Sequence, residues 1–485
     1  MKSRWQVHTL FRNNFSQIAV LSIIISLAAL QGLVVWIDPK MAFLTPAAIT
    51  GVILLYQPYI GLLSLLLLHP FAINASEEID VLKIAYYIIF GLTLLGWFLR
   101  RGKLSLQPAL RPIFWPVIAL GSVVLLSFLP ATLHGVRFEA WLRSASTIAG
   151  IFLMFPAAEF LSEYKKRNKF INVLMLTMWL SSFGTGYLLA RYRGFISSPL
   201  GWLLLEDRPL LGGSLAISLM GVYLGLAFVI YGKSRRGCPV LMCAWPVAAI
   251  TALFSITGLV LSGFLSVVIL GLVGIPILLL VGHWGIRLKL LRLVGFLLIC
   301  MIIMVILGYI EVSYSELFIS QFIRAASLVI EKISAVRAIE DLWSNPSWLG
   351  RWYEAKQAIL AWRESPIWGY GFGYEEFKSR YWDIPGGFYV HSMIPGLLVR
   401  IGLLGFFTFT WYLWSVLKLL YRAYKTSQEA EIKIFLLGGI AGLIAMLAVS
   451  QVSSLWDDRG FALMLGILSG LAAAVLQKPT LVVYR

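Results

Sequence analysis

The residues able to do chemistry in this chain are few and stand out against an apolar background. Five histidines occur: His8, His69, His134, His283 and His391. His391 sits where a long polar stretch gives way to an apolar run, so its side chain can face a hollow between the two. Imidazole suits general base work near neutral pH because its unperturbed pKa is about 6.5. Its other reading is a residue that merely begins a helix at a membrane interface. Shortly before it comes Ser365-Pro366-Ile367-Trp368-Gly369-Tyr370-Gly371-Phe372-Gly373. Proline stops a helix, and the alternate Gly369, Gly371 and Gly373 let the backbone turn with little side-chain cover. Exposed backbone N–H groups could cradle an anion there. Equally, such a run could be a glycine-rich turn packed close to a helix. It is not a Walker loop, since no Lys-Ser/Thr follows, and no strand-turn-helix context makes it a dinucleotide fingerprint.

Arginines form the third group. Arg191, Arg193 and Arg208 crowd one stretch, and Arg351 lies in the long polar segment before His391. Guanidinium forks bind phosphate and pyrophosphate bidentately; otherwise they meet lipid headgroups or water. Arg400 lies nine residues past His391, inside an apolar run. A charge at that depth costs at least about 2–3 kcal/mol unless partnered, so a polar cavity or an acidic neighbour is required. Nine residues place it opposite His391 on an ideal helix, with Pro395 a candidate for bending it. In Trp456-Asp457-Asp458-Arg459, two adjacent carboxylates lack a third ligand for a metal and read as a solvated turn.

The elements that must position these residues are membrane helices. Of 485 residues 59% are hydrophobic and only 13% charged, and mean hydropathy is +0.84. A soluble domain averages about a quarter charged residues. Apolar runs of the length a bilayer core demands fall at about 15–37, 41–56, 59–75, 83–99, 112–132, 145–161, 170–190, 213–232, 240–257, 259–281, 293–312, 392–417, 434–452 and 460–477. That is fourteen, the second and third separated only by Gln57 and Pro58, so that they could form one hairpin that dips in. The first run lacks a cleavage site after it and reads as a retained anchor.

Net charge is +17. In a soluble protein that would suggest nucleic acid, but here the Lys and Arg cluster in alternate short loops, which sets those loops in the cytoplasm. Both termini then lie inside, and no nucleic-acid partner is implied. Cys238, Cys243 and Cys300 make neither a disulfide framework nor a metal site. The expected fold is all-α: a polytopic membrane bundle of about 14 helices (12–14). Its parts are a bundle over 1–312 of about eleven helices, a large extracytoplasmic loop over 313–391, and about three helices over 392–485. Apolar positions at helical spacing over 317–343 and 351–364 predict amphipathic helices in that loop. So long a connection is functional by default.

One further pattern joins these pieces. Arg351-Trp352, Ala358, Ser365-Pro366, Gly369, Gly371, Gly373, Phe377, His391-Ser392 and Gly402-Leu403-Leu404-Gly405 together resemble the signature of the O-antigen ligase/polymerase family. The resemblance implies a GT-C-like membrane glycosyltransferase in the cytoplasmic (inner) membrane of a bacterium. It would move a glycan from an undecaprenyl-pyrophosphate-linked donor to an acceptor hydroxyl on the periplasmic side. The acceptor is another glycan for a polymerase and lipid A-core for a ligase. No cofactor or metal is implied; the lipid bilayer and other polysaccharide-assembly membrane proteins are the expected partners. By position His391 corresponds to the family's base and Arg351 to its pyrophosphate-holding arginine. Two departures accompany it. Leu261-Ser262-Gly263-Phe264 lacks the arginine of a Ser-Arg-Gly motif, whose charge Arg208 or Arg193 would supply, with Arg400 and the three glycines also on the donor pyrophosphate. Ser392 stands where asparagine often follows the histidine. The rival expectation is a transporter, either a flippase of lipid-linked oligosaccharide or a carrier of small anions.

Overall fold

A computed structural model describes residues 44–72, 81–101, 107–192, 204–205, 208–209, 214–232, 239–261, 267, 270–281, 285, 288–296, 346–374 and 390–477. The apolar runs expected at 15–37 and, for all but its start, at 293–312 lie outside these residues, as does the amphipathic helix expected over 317–343.

The chain divides into two compact units. The smaller contains α1 (Leu44–Tyr56), the start of α2 (Pro58–Ala72) and most of α3 (Val81–Arg101). Glycines let these helices approach. A Cβ on Gly96 would lie 2.7 Å from the Leu55 carbonyl oxygen, so only hydrogen fits there. Where lipid offers no hydrophobic drive between helices, such small-residue contacts hold them together. The bend between α1 and the helix after it is 115°, so these two apolar runs do not form two straight crossings.

The larger unit carries α4 (Arg111–Leu126), α5 (Phe128–Leu133), α6 (Phe138–Ala145), α7 (Met154–Phe160), α8 (Tyr164–Tyr192), α9 (Leu215–Tyr231), α10 (Trp245–Leu261), α11 (Gly274–Leu280), α12 (Pro346–Trp362), α13 (Met393–Thr426), α14 (Ala430–Val449) and α15 (Arg459–Leu476). Close glycine contacts recur. Gly225 fits against Ala252, and Gly466 against the carbonyl of Gly150. Nearly every residue of α9 and α15 is buried. Both helices are apolar all round, as a helix must be when other helices surround it.

Contacts between helix ends fall into two sets. Arg167 Nη2 meets Glu429 Oε2 at 2.5 Å, and Gln477 donates to Gln107. The charge pattern assigns all four of these residues to the cytoplasmic side. At the opposite ends Ser214 Oγ donates to Asp458 at 2.8 Å, and Gly373 approaches Ala140. Cys243 is disulfide-bonded, contrary to the expectation from sequence; its partner lies outside the described residues.

The protein is a helical membrane protein, but the count of fourteen spans is not reproduced. Among the described residues six helices are long and apolar enough to cross a bilayer, or seven with the bent pair taken as one. Leu215–Tyr231 and Trp245–Leu259 are apolar but shorter than a full crossing. Of the other expected runs, 15–37, most of 293–312 and part of 259–281 fall outside the described residues. The run 145–161 lies within one of the six, Phe138–Phe160, although its backbone passes through a 3-10 stretch, Ser146–Leu153, before α7.

Candidate active site

The site is organised by a helix that breaks. α13 begins with Ser392 in extended conformation as its N-cap and runs 34 residues, but Gly402 inside it has φ 62° and ψ −167°. That conformation is essentially confined to glycine. Pro395, the sequence's candidate for a bend, sits in the first turn, where proline's missing N–H costs nothing. The break therefore falls seven residues later than proline would have placed it.

A break at Gly402 should orphan the bonds from Leu403 N to the Val399 carbonyl and from Leu404 N to the Arg400 carbonyl. In a membrane an unpaired peptide group is expensive. The glycine-rich loop repairs the loss. Leu403 N donates to Pro366 O at 2.9 Å and Leu404 N to Ile367 O at 3.3 Å. In return Tyr370 N donates to Val399 O at 2.7 Å and Gly371 N to Arg400 O at 2.9 Å. Two helical bonds are exchanged for four to the loop.

That exchange explains the glycine spacing. Gly369, Gly371 and Gly373 all have positive φ, and a Cβ on each would collide with backbone: Arg400 and Gly402 for Gly369, Ala131 for Gly371, Ala140 for Gly373. The N–H groups of Gly369 and Gly371 are committed to the carbonyls of Ser365 and Arg400. The sequence reading of this stretch as an anion cradle thus meets a specific obstacle. At two of its three glycines the backbone donors already hold protein oxygens, and the close packing accounts for the missing side chains.

The helix expected over 351–364 is present as α12, offset toward its N-terminal side. Ala358 and Ala361 seat it on a small apolar cluster with Tyr370, Val390 and Val399, and Tyr374 packs against it. Small residues at these positions allow close approach to α13, while Trp352 and Leu360 stay exposed on α12. Seated this way, α12 brings two charged residues toward the start of α13. His391 Nδ1 lies 2.7 Å from Glu354 Oε2. Glu354 is only 6% exposed. A carboxylate can only accept, so Nδ1 carries the proton and Nε2 is the nitrogen able to take one. Arg351, one turn earlier on the same face, is half-buried and feels the Glu354 charge. Burial pulls its guanidinium below the ordinary arginine range, and the carboxylate opposes that pull. His391 thus contacts Glu354, one helical turn from Arg351.

Arg400 points elsewhere, as its nine-residue offset requires. It is 7% exposed. Its Nη1 lies 3.0 Å from Asp457 Oδ1, and its Cζ is 4.8 Å from the Trp456 ring centroid and 5.9 Å from that of Phe372. The ion pair is too oblique for a hydrogen bond, and neither of those two atoms, nor Trp456 Nε1, has another hydrogen-bond partner among the described residues. The acidic neighbour that depth demanded is Asp457. The solvated reading of Trp456–Arg459 is corrected on this point. Asp457 serves Arg400, while Asp458 caps α15 through Gly460 N at 2.8 Å and binds Ser214 Oγ and Ala216 N. Burial raises the Asp458 carboxyl above the usual range, against those hydrogen bonds and the Arg459 charge.

Arg193 lies outside the described residues. Arg208 begins β2 (Arg208–Pro209), paired with β1 (Leu204–Leu205), and only its backbone is described. Glu354 and Asp457 are the residues that sequence reasoning missed as partners. Glu354 had a signal, because it stands three residues after Arg351 on a helix otherwise patterned by apolar residues.

Residues 250–410 match a family model described as O-antigen ligase. No curated protein matches the chain.

Proposed function

We propose, from the match of residues 250–410 to a family model described as O-antigen ligase, that the chain transfers a glycan from an undecaprenyl-pyrophosphate donor to an acceptor hydroxyl. The family itself supports an O-antigen-ligase-type membrane glycosyltransferase acting on lipid-linked glycan; the donor lipid and the residue roles are our reading. His391 Nε2 takes the proton of the acceptor hydroxyl as its oxygen bonds to the anomeric carbon of the donor. The bond from that carbon to the diphosphate oxygen breaks, and the diphosphate departs with the electron pair. Arg351 faces the negative charge that grows on the leaving group. Arg193 and Arg208 would add cationic charge from the other outer segment.

The observation that carries this reading is the contact of His391 Nδ1 with Glu354 Oε2 at 2.7 Å, one helical turn from Arg351. Holding base and charge in one place is most of what such a reaction needs, because the leaving group is already a stabilised diphosphate. Purified protein given undecaprenyl-pyrophosphate-linked repeat unit, with and without lipid A-core, tests it. Product should form, and His391→Ala should abolish transfer while donor binding persists. Full transfer by that variant would remove His391 as the base. Movement of intact donor across a vesicle membrane without transfer would favour a flippase.

A further inference from the structure

We infer that Glu354 is a positioning residue for His391 that fixes which ring nitrogen can accept the acceptor's proton. The inference rests on the base role proposed above and adds a residue to it. An imidazole works as a base only through its unprotonated nitrogen, and neutral histidine has two tautomers of similar energy. Something must choose. Here the Glu354 carboxylate accepts from Nδ1 at 2.7 Å, which leaves Nε2 as the acceptor nitrogen and fixes the ring plane. Such charge-assisted contacts are short and roughly twice as strong as neutral ones. The carboxylate is 6% exposed while the His391 side chain is 27% exposed, so the orienting group is shielded and the reacting ring is reachable. That division matches the general pattern of nucleophile or base, then orienter.

Placement follows from the fold, since Glu354 projects from α12. The helix is seated by Ala358 and Ala361 on Tyr370 and Val390, and its far end is tied to the break in α13 through the glycine loop. The base just before α13 and its orienter on α12 are thus registered by the same loop. Arg351 lies one turn away on the same helix. Glu354 also lessens the cost of burying that guanidinium, whose charge the leaving diphosphate would meet.

The test compares wild type with Glu354→Gln, Glu354→Asp and His391→Ala in one detergent or nanodisc preparation. Transfer is measured at saturating donor, and donor affinity and melting temperature are followed alongside. Selective ¹⁵N-histidine spectra, with His391 assigned by its loss in the alanine variant, report the tautomer. Glu354→Gln should cut the transfer rate by about 10²- to 10⁴-fold without weakening donor affinity, and the His391 signal should shift from a single Nδ1–H tautomer to a mixture. Glu354→Asp should recover at least part of both the rate and the tautomer; should the glutamine variant fail to fold, this variant's rate and spectrum decide the matter. Unchanged transfer and an unchanged spectrum in Glu354→Gln, with His391→Ala inert, would overturn the positioning role and leave the base intact. Activity in His391→Ala would instead overturn the base role, and this inference with it.

Discussion

Gly402→Ala tests the broken helix most directly. Gly402 holds φ 62° and ψ −167°, where a residue with a side chain costs about 1–3 kcal/mol. Its new Cβ would lie 2.2 Å from Ile367 O and 2.7 Å from Trp368 N. Both are backbone atoms, so no rotamer change relieves the clash and the loop must withdraw. The first bonds lost are those from Leu403 N and Leu404 N to the loop. An unsatisfied buried group costs about 1–3 kcal/mol. One such loss added to the backbone term gives about 2–6 kcal/mol. Gly135→Ala is the control: its φ is 76°, yet a Cβ there meets nothing within 4 Å. It should cost only about 1–2 kcal/mol, the left-handed backbone penalty. Thermal unfolding of the two variants in one detergent, with glycan transfer alongside, separates the contributions. A Gly402→Ala protein no less stable than Gly135→Ala would refute the argument that the loop splints the helix.

Other outcomes follow from the same geometry. Asp457→Asn should destabilise by about 3–5 kcal/mol, since it leaves the buried Arg400 charge without its counter-ion; Arg400→Met combined with it should cost less than the sum of the single changes. Arg351→Ala should weaken binding of the lipid-pyrophosphate donor roughly ten- to hundredfold, the worth of a charged hydrogen bond, read by equilibrium binding to purified protein. Asp458 sets a pH dependence. Burial raises its folded-state value above the unfolded one, so native protein binds the proton more tightly. The stability from this group is full at low pH and lost as pH rises through the raised value. Melting temperature against pH should show that decline in wild type and a flatter line in Asp458→Asn.

Much of this protein was legible in its sequence because its solvent is lipid. A run such as 434–452 or 460–477 must be helical wherever it sits, since its peptide groups have no other partners. The Lys and Arg clusters likewise name a side without reference to packing, and contacts such as Arg167 with Glu429 join ends that the clusters assign together. His391 and Arg351 could be picked out because their residue types are costly or useful in any apolar setting. Arg400's need of an acid followed from depth alone.

What the sequence left open depended on atoms distant along the chain. Nothing local to Gly369-Tyr370-Gly371 tells whether its N–H groups await an anion or fill the broken turn of a helix thirty residues on; that depends on the carbonyls of Val399 and Arg400 arriving beside it. Nothing local to Asp457 separates a solvated turn from the counter-ion of Arg400. Glu354 meets His391 only because α12 is seated on the cluster with Tyr370, Val390 and Val399. Residue type and spacing fix what a side chain can do, while its partner is chosen by packing, the one term that no single segment contains.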